Sequence, residues 1–442
     1  MSENKFKYVT VTAVIVANMV GTGVFTSLGF QLLDITSGFA LLFLWVLGGL
    51  TALCGAISYA ELGATLPRSG GEYNFLSQIY HPAAGFVSGW ISMSVGFAAP
   101  TALAAMTFSA YLTSSLLGDV PNFLEKFIAV GLLLTLAAVH STNHRNSGRT
   151  QTVFTTLKVL VIILFIVASL TVVSTPQPIS FLPKVGDVQL ITSGAFAVAL
   201  IYVSFAFSGW NAATYLSSEI ESPQKTLPLV LISGTSIVTL LYLGLNYVFL
   251  YTTPIDSMIG EVEVGAIAAR TIFGEVAGNL FGLALALLLI STVSAMTMAG
   301  PRVIQVVGED FPKLSFLGQR NASGIPARSI FLQSAIAIIF IVSSTFESVL
   351  VFAGFTMALN TFASVLGLFV LRIRQPSLTR PYRAFLFPLT PLIFLTLTGW
   401  TLTFTLLMRP VEVLFSFGVI GIGLVFYYLT ASRDNISTGK DG

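Results

Sequence analysis

Few side chains in this sequence carry chemistry, and fewer stand where they could share it. The three histidines, His81, His140 and His144, are far from any matching cluster of acids. No HExxH, no paired carboxylates within an apolar run and no Ser–Lys or Ser–His arrangement of recognisable spacing occurs. Catalysis inside a membrane relies on such clusters of His, Asp or Glu, so an enzyme is not expected. Cys54 is the single cysteine, which excludes an intramolecular disulfide. What stands out instead is backbone chemistry. NMVGTGVF places Gly21-Thr22-Gly23 inside an apolar stretch, FAFSGW places Phe205-Ala206-Phe207-Ser208-Gly209 inside another, and Lys158 is the one basic residue deep within a third.

The elements that must position these groups are membrane helices. Of 442 residues, 55% are hydrophobic and only 9% charged, against about 25% charged in soluble domains. Mean hydropathy is +0.87. The apolar runs are long and uninterrupted, as in α-helices, and lack the alternation of a β-barrel. At roughly 20 apolar residues per span, about twelve helices fit. They are predicted over 9–32, 38–60, 83–115, 124–140, 150–173, 189–219, 227–252, 276–301, 328–345, 347–371, 384–407 and 411–430. The start of the chain, MSENKFKYVT, runs directly into the first of them and shows no small-residue cleavage site, so no removable signal peptide is expected.

Charge supports this map. With both termini cytoplasmic, all the 21 Lys and Arg lie inside except Lys126, Lys184, Arg270 and Arg409, which lie outside, and Lys158 within a helix. That asymmetry is what the positive-inside rule requires. A net charge of +2 is too small to point to nucleic acid. Glu61 and Glu219 fall near cytoplasmic helix ends, where pairing with Arg68 or Lys225 is expected.

The two interruptions fall in the first and the sixth helix, each near mid-span. Paired glycines also let membrane helices approach closely, and GxG alone is weak. Matching breaks in two halves, however, mark the binding site of transporters built from inverted repeats. Peptide groups released there must line a cavity and find a ligand. The N-terminal end of a half-helix favours an anion, and freed carbonyls favour a cation. An α-amino acid, with carboxylate and ammonium on one carbon, satisfies both.

The same stretches, with others, resemble a known family. GTGVF, SYAELGATLPRSGGEYNFL, QTVFTTLKVLVIILF, FAFSGWNAATYLSSEIESPQKTLP and LYLGLNYVFL occur in the order found in amino acid-polyamine-organocation (APC) transporters. Within these the chain is most similar to the L-type amino acid transporter group. The match covers most of the first seven helices; from the ninth onward it is one of hydropathy more than motif. Thr22 stands where Ser or Ala is more usual, and VIQVVGEDFPKL after Arg302 follows the pattern loosely.

The resemblance implies an all-α membrane protein with the LeuT-like fold. Residues 1–442 would form one transporter domain, with inverted repeats over 9–173 and 189–371 and two appended helices over 384–430. It implies a substrate site at Met19, Gly21, Thr22, Gly23, Phe205, Ser208 and Gly209. The Thr22 and Gly23 amides would take the carboxylate, and the Met19, Phe205 and Ser208 carbonyls the ammonium. Phe205 would also gate. Lys158, approaching the first break, and Tyr242 would couple or gate; Lys158 would occupy the space of a sodium ion in sodium-driven relatives. On geometry alone, Lys158 lies about 12 Å along its helix, and a lysine there either snorkels to the interface or stays buried as an amine able to exchange a proton.

The expected function is sodium-independent carriage of neutral L-amino acids through the inner (plasma) membrane, by exchange or proton symport. Alternatives are carriage of an amine or other metabolite, or amino acid sensing without transport. Asn211 cannot titrate, and no acid within the membrane is expected to recognise a cationic side chain. The loop LLGDVPNFLEK carries no cysteine for a disulfide-linked heavy subunit, so a monomer or homodimer is expected. No cofactor or metal is expected.

Overall fold

In hydrocarbon a backbone can satisfy its own polar groups locally only as helix. Among the described residues, ten helices are long and apolar enough to cross a membrane, and Gly194–Ala206 and Ala327–Ser343 are shorter apolar ones. The computed structural model describes residues 5–118, 120–142, 147–321 and 325–430, without the side chains of 147–152, 302, 306, 309, 310 and 312. The sidedness expected for His144, Arg145, Arg149, Arg302, Arg433 and Lys440 rests on side chains outside the described residues.

The spans run in chain order. α1 is two pieces, Tyr8–Met19 and Gly23–Gln31. α2 is Gly38–Thr65, and α3 covers Pro82–Leu116 with a π-helical turn at Ser92–Gly96. α4 is Asn122–Thr142, and α5 is Ser147–Val172. α6 is Gly194–Ala206, continued after a break by the 3₁₀ helix Ala212–Glu219. α7 is Pro223–Thr252, α8 Val264–Asp310, α9 Ala327–Ser343, α10 Phe346–Arg374, α11 Leu389–Met408 and α12 Pro410–Thr430. The protein is thus an all-helical, multi-pass membrane protein.

Local chemistry sets several starts. Ser37, Ser193 and Thr345 cap α2, α6 and α10 by accepting the amides of Ala40, Phe196 and Ser348. Pro82 and Pro223 open α3 and α7, where a missing N–H costs nothing. Inside the spans, hydroxyls such as Thr51 and Ser58 donate to the carbonyl four residues back, which satisfies them without a neighbour. The most extensive packing joins α3 to α8 and α2 to α7.

The structure corrects four expectations. A short helix, Glu72–Ile79, occupies what reads as a loop between the second and third spans; it is too short to announce itself by hydropathy. α8 begins far ahead of residue 276, and its first part is set off at Gly274, where φ is +80°. The break in the sixth helix lies at 207–211, because Phe205 and Ala206 remain helical and the chain turns at Gly209, φ +95°. Finally, Glu61 pairs with neither Arg68 nor Lys225. It is fully buried and accepts two bonds from Arg372, at 2.9 and 2.6 Å, and one from the Ala384 amide at 2.6 Å, with Arg380 3.5 Å away. Arg372 also lies 3.6 Å from the centre of the Phe387 ring. Glu219 makes no ion pair with Lys225 among the described residues; its carbonyl instead accepts the Phe6 amide at 2.8 Å.

This buried pair ties the end of α2 to the end of α10. Removing one partner leaves two guanidinium groups without their carboxylate, a loss of about 3–5 kcal/mol. Glu61→Ala should therefore lower the Tm of the purified protein in detergent clearly; an unchanged Tm would show that the pair carries little stability.

Candidate functional site

α1 ends at Met19 because Val20 leaves the helical region and Gly21 turns its amide back to the Met19 carbonyl at 2.8 Å. Helix resumes at Gly23. Across this gap the amides of Thr22, Gly23 and Val24 meet no backbone carbonyl among the described residues. They form the start of a half-helix, with its partial positive charge. The Thr22 carbonyl, by contrast, is engaged by the Phe25 amide at 3.0 Å and the Thr26 hydroxyl at 3.1 Å.

The two breaks touch. A Cβ on Gly23 would run into the backbone of Ala206, and one on Gly209 would lie 2.9 Å from the Asn18 carbonyl. Glycine at these positions therefore lets the two interrupted backbones meet. Tyr242 of α7, fully buried between Trp45 and Phe207, closes the contact. Its hydroxyl donates to the Met19 carbonyl at 2.5 Å and lies 3.1 Å from the Ala206 carbonyl. One phenol thus bridges the last helical residue before each break.

Lys158 does not snorkel. It is 4% exposed, and its Nζ donates to Thr292 Oγ1 of α8 at 2.6 Å. The Thr292 methyl in turn lies 3.5 Å from where a Cβ on Gly21 would stand. An amine on α5 and a hydroxyl on α8 therefore back the first break.

The expected acceptors of an ammonium are unequally free. The Met19 carbonyl holds both Gly21 N–H and the Tyr242 hydroxyl, and the Phe205 carbonyl takes the Ser208 amide at 2.9 Å. The Ser208 carbonyl has no backbone partner among the described residues. Phe205, Ser208 and Gly209 line a cavity of about 60 Å³ between α2, α6, α10 and α11. Ser208 and Gly209 also border a second one of about 70 Å³, with Asn18, Glu72, Asn211 and Asn360. Met19, Gly21, Thr22 and Gly23 line none of these cavities. The structure brings Met19, Gly23, Gly209 and Tyr242 to the junction of the breaks, sets Lys158 behind Gly21 through Thr292, and leaves Phe205, Ser208 and Gly209 facing space.

A cavity of about 510 Å³ runs from Asn18, past Tyr215, to Glu219 and Arg320 on the face of the N-terminal segment. On the opposite face Phe30 stacks on Phe346 with ring centres 5.5 Å apart, Tyr202 donates to Glu347 at 2.8 Å, and Arg409 pairs with the same carboxylate. No group of three His, Cys, Asp or Glu that could hold a metal occurs among the described residues.

Glu72 is a residue that sequence reasoning passed over. This carboxylate is 1% exposed and borders the cavity that Ser208 and Gly209 also border. The signal was present in SGGEY, but only the fold brings that motif to the sixth helix. Asn18 and Thr292 were also passed over, as ordinary polar residues of membrane helices.

The model of the amino acid permease family matches residues 6–431. The chain is 28% identical over 441 residues to large neutral amino acids transporter small subunit 2 of Mus musculus, spanning 95% of this chain and 80% of that one. It is 26% identical over 421 residues to b(0,+)-type amino acid transporter 1 of Mus musculus, covering 94% and 85%. With Asc-type amino acid transporter 1 of Rattus norvegicus it shares 28% over 437 residues, covering 94% and 78%.

The contact between the breaks is open to a direct check. Gly23→Ala forces a methyl against the Ala206 backbone, and overpacking of this kind costs about 1–3 kcal/mol. Its Tm in detergent should fall, whereas Gly131→Ala on α4, where a Cβ meets nothing within 4 Å, should leave Tm level or slightly higher. Equal Tm for the two variants would mean that the breaks are not in contact.

Proposed function

The chain belongs to the amino acid permease family, and on that premise we propose that it is a sodium-independent carrier of neutral L-amino acids, working by alternating access. The observation that carries this reading is the junction of the two breaks. Three consecutive amides, those of Thr22, Gly23 and Val24, are left over on one side, and the Ser208 carbonyl on the other. Amides at a helix start suit a carboxylate, and a free carbonyl suits an ammonium. A ligand with both groups on one carbon is an α-amino acid.

In this reading Thr22 and Gly23 bind the carboxylate, with Gly21 and Gly209 giving the backbone its path. Ser208 and Phe205 receive the ammonium, and the Phe205 ring covers the substrate. The Met19 carbonyl joins them only when Tyr242 releases it, so that Tyr242 reports occupancy of the site to α7. Lys158 reaches the first break through Thr292, and its charge at that place disfavours a second cation such as sodium. Coupling is by exchange or by proton symport.

The wide cavity on the face of the N-terminal segment and the closed opposite face suit the inward-facing member of an alternating pair. The Lys and Arg bias supports a cytoplasmic position for that face and both termini, with the protein in the inner or plasma membrane. α1–α5 and α6–α10 are read as inverted repeats, and the packing of α2 on α7 and α3 on α8 suits that relation. With no cysteine in the loop between α3 and α4, the protein acts as a monomer or homodimer without a disulfide-linked subunit.

Purified protein in liposomes should take up a labelled neutral amino acid with no sodium present. Unlabelled amino acid inside, or an inward proton gradient, should accelerate it. The decarboxylated amine of the same substrate should compete at least about 100-fold less well, since it lacks the group bound by charge-assisted bonds of about 1.5–3 kcal/mol each. Equal competition by the amine would remove Thr22 and Gly23 from the site, and absence of uptake under both conditions would refute carriage.

A further inference from the structure

The SGGEY motif has a structural role that the reading above does not use. Gly70 and Gly71 carry φ of +115° and +54° and turn the chain into the helix Glu72–Ile79. A Cβ on Gly71 would lie 2.8 Å from Tyr215 Cε1, so the glycine admits that ring. Glu72 then receives three neutral donors. Tyr59 of α2 donates to Oε1 at 2.9 Å, the Asn211 amide donates to the same oxygen, and the Tyr215 hydroxyl donates to Oε2. A carboxylate has about four lone-pair positions. Both on Oε1 are therefore filled, and Oε2 keeps one partner.

Glu72 borders the same cavity as Ser208 and Gly209, and Tyr215 lies between that cavity and the large one. An uncovered carboxylate there would attract the ammonium or guanidinium of a cationic side chain, since charge pairs strengthen where water is excluded. Two phenols and an amide hold three of its four positions, so a cationic group can make a two-oxygen contact with it only by displacing a donor. We propose that Tyr59, Asn211 and Tyr215 mask a latent cation subsite at Glu72, and that this mask makes the site select neutral over cationic amino acids. This inference rests on the proposal that the substrate lies between the breaks. Tyr215 is the key member, because its hydroxyl is the only donor to Oε2 among the described residues and it lines both cavities.

The test is competition for labelled leucine uptake into liposomes by unlabelled lysine, for the wild type, Tyr215→Phe, and Tyr215→Phe combined with Glu72→Gln. Removing the hydroxyl should lower the lysine concentration needed for half inhibition at least 10-fold, and the added Glu72→Gln should abolish that gain. For a variant that no longer transports, stabilisation of the purified protein by lysine against leucine, followed as a shift in Tm, gives the same comparison. The mask is refuted if the wild type transports leucine but Tyr215→Phe gains no lysine binding. It is also refuted if the gain survives Glu72→Gln, or if Tyr215→Phe binds neither amino acid, since Tyr215 would then build the site instead of covering an acid. Lack of leucine uptake by the wild type would instead overturn the underlying function, and this inference with it.

Discussion

A peptide group released from a helix inside hydrocarbon must find another partner, and here a single phenol stands within reach of two of them. The Tyr242 hydroxyl sits against the Met19 and Ala206 carbonyls, the points at which both interrupted helices lose their own ladder. Each unsatisfied group would otherwise cost several kcal/mol in lipid. The close approach that makes this bridge possible depends on Gly23 against Ala206 and Gly209 against Asn18. Glycine, break and tyrosine thus form one device: the glycines bring the backbones together, and the tyrosine sets its one donor proton between the two carbonyls at the breaks. What it does not close, the amides at the start of the second half of α1, has no backbone partner among the described residues.

Charge is handled by the same rule elsewhere. Glu61 has two guanidinium groups and an amide, Glu72 has three neutral donors, and Lys158 has a threonine hydroxyl. Burying an ion without such partners costs more than packing returns. The partner type differs with place. Where the charge ties helix ends together, as at Glu61, it is met by opposite charge. Beside the breaks, at Glu72 and Lys158, it is met by neutral dipoles.

The spans were legible because hydropathy reports the solvent directly, and a run of about 20 apolar residues has few alternatives in a bilayer. The breaks were legible as well, through Gly21, Gly23 and Gly209, because a residue that weakens a membrane helix needs a reason. The partners of the polar groups were not. Glu61 and Arg372 lie 311 residues apart, Glu72 and Asn211 139, and Lys158 and Thr292 134. Nothing local links the members of these pairs, so Glu61 was assigned to the nearest basic residues in the chain and Glu72 to none. The helix Glu72–Ile79 escaped for a related reason: eight residues are too few to show a period, and its stability comes from what it packs against.

The second half of α6 is a 3₁₀ helix of eight residues, Ala212–Glu219. In that form a chain rises about 2.0 Å per residue, against about 1.5 Å in an α-helix. Rewinding those residues would draw the segment in by roughly 4 Å, about three quarters of the height of an α-helical turn. The segment is therefore an extended spring between two fixed points. One end is at Gly209, against Asn18, and the other is at the bridge from Glu219 and Glu221 to Phe6. Any change in its winding pulls on the start of the chain and on the first break together.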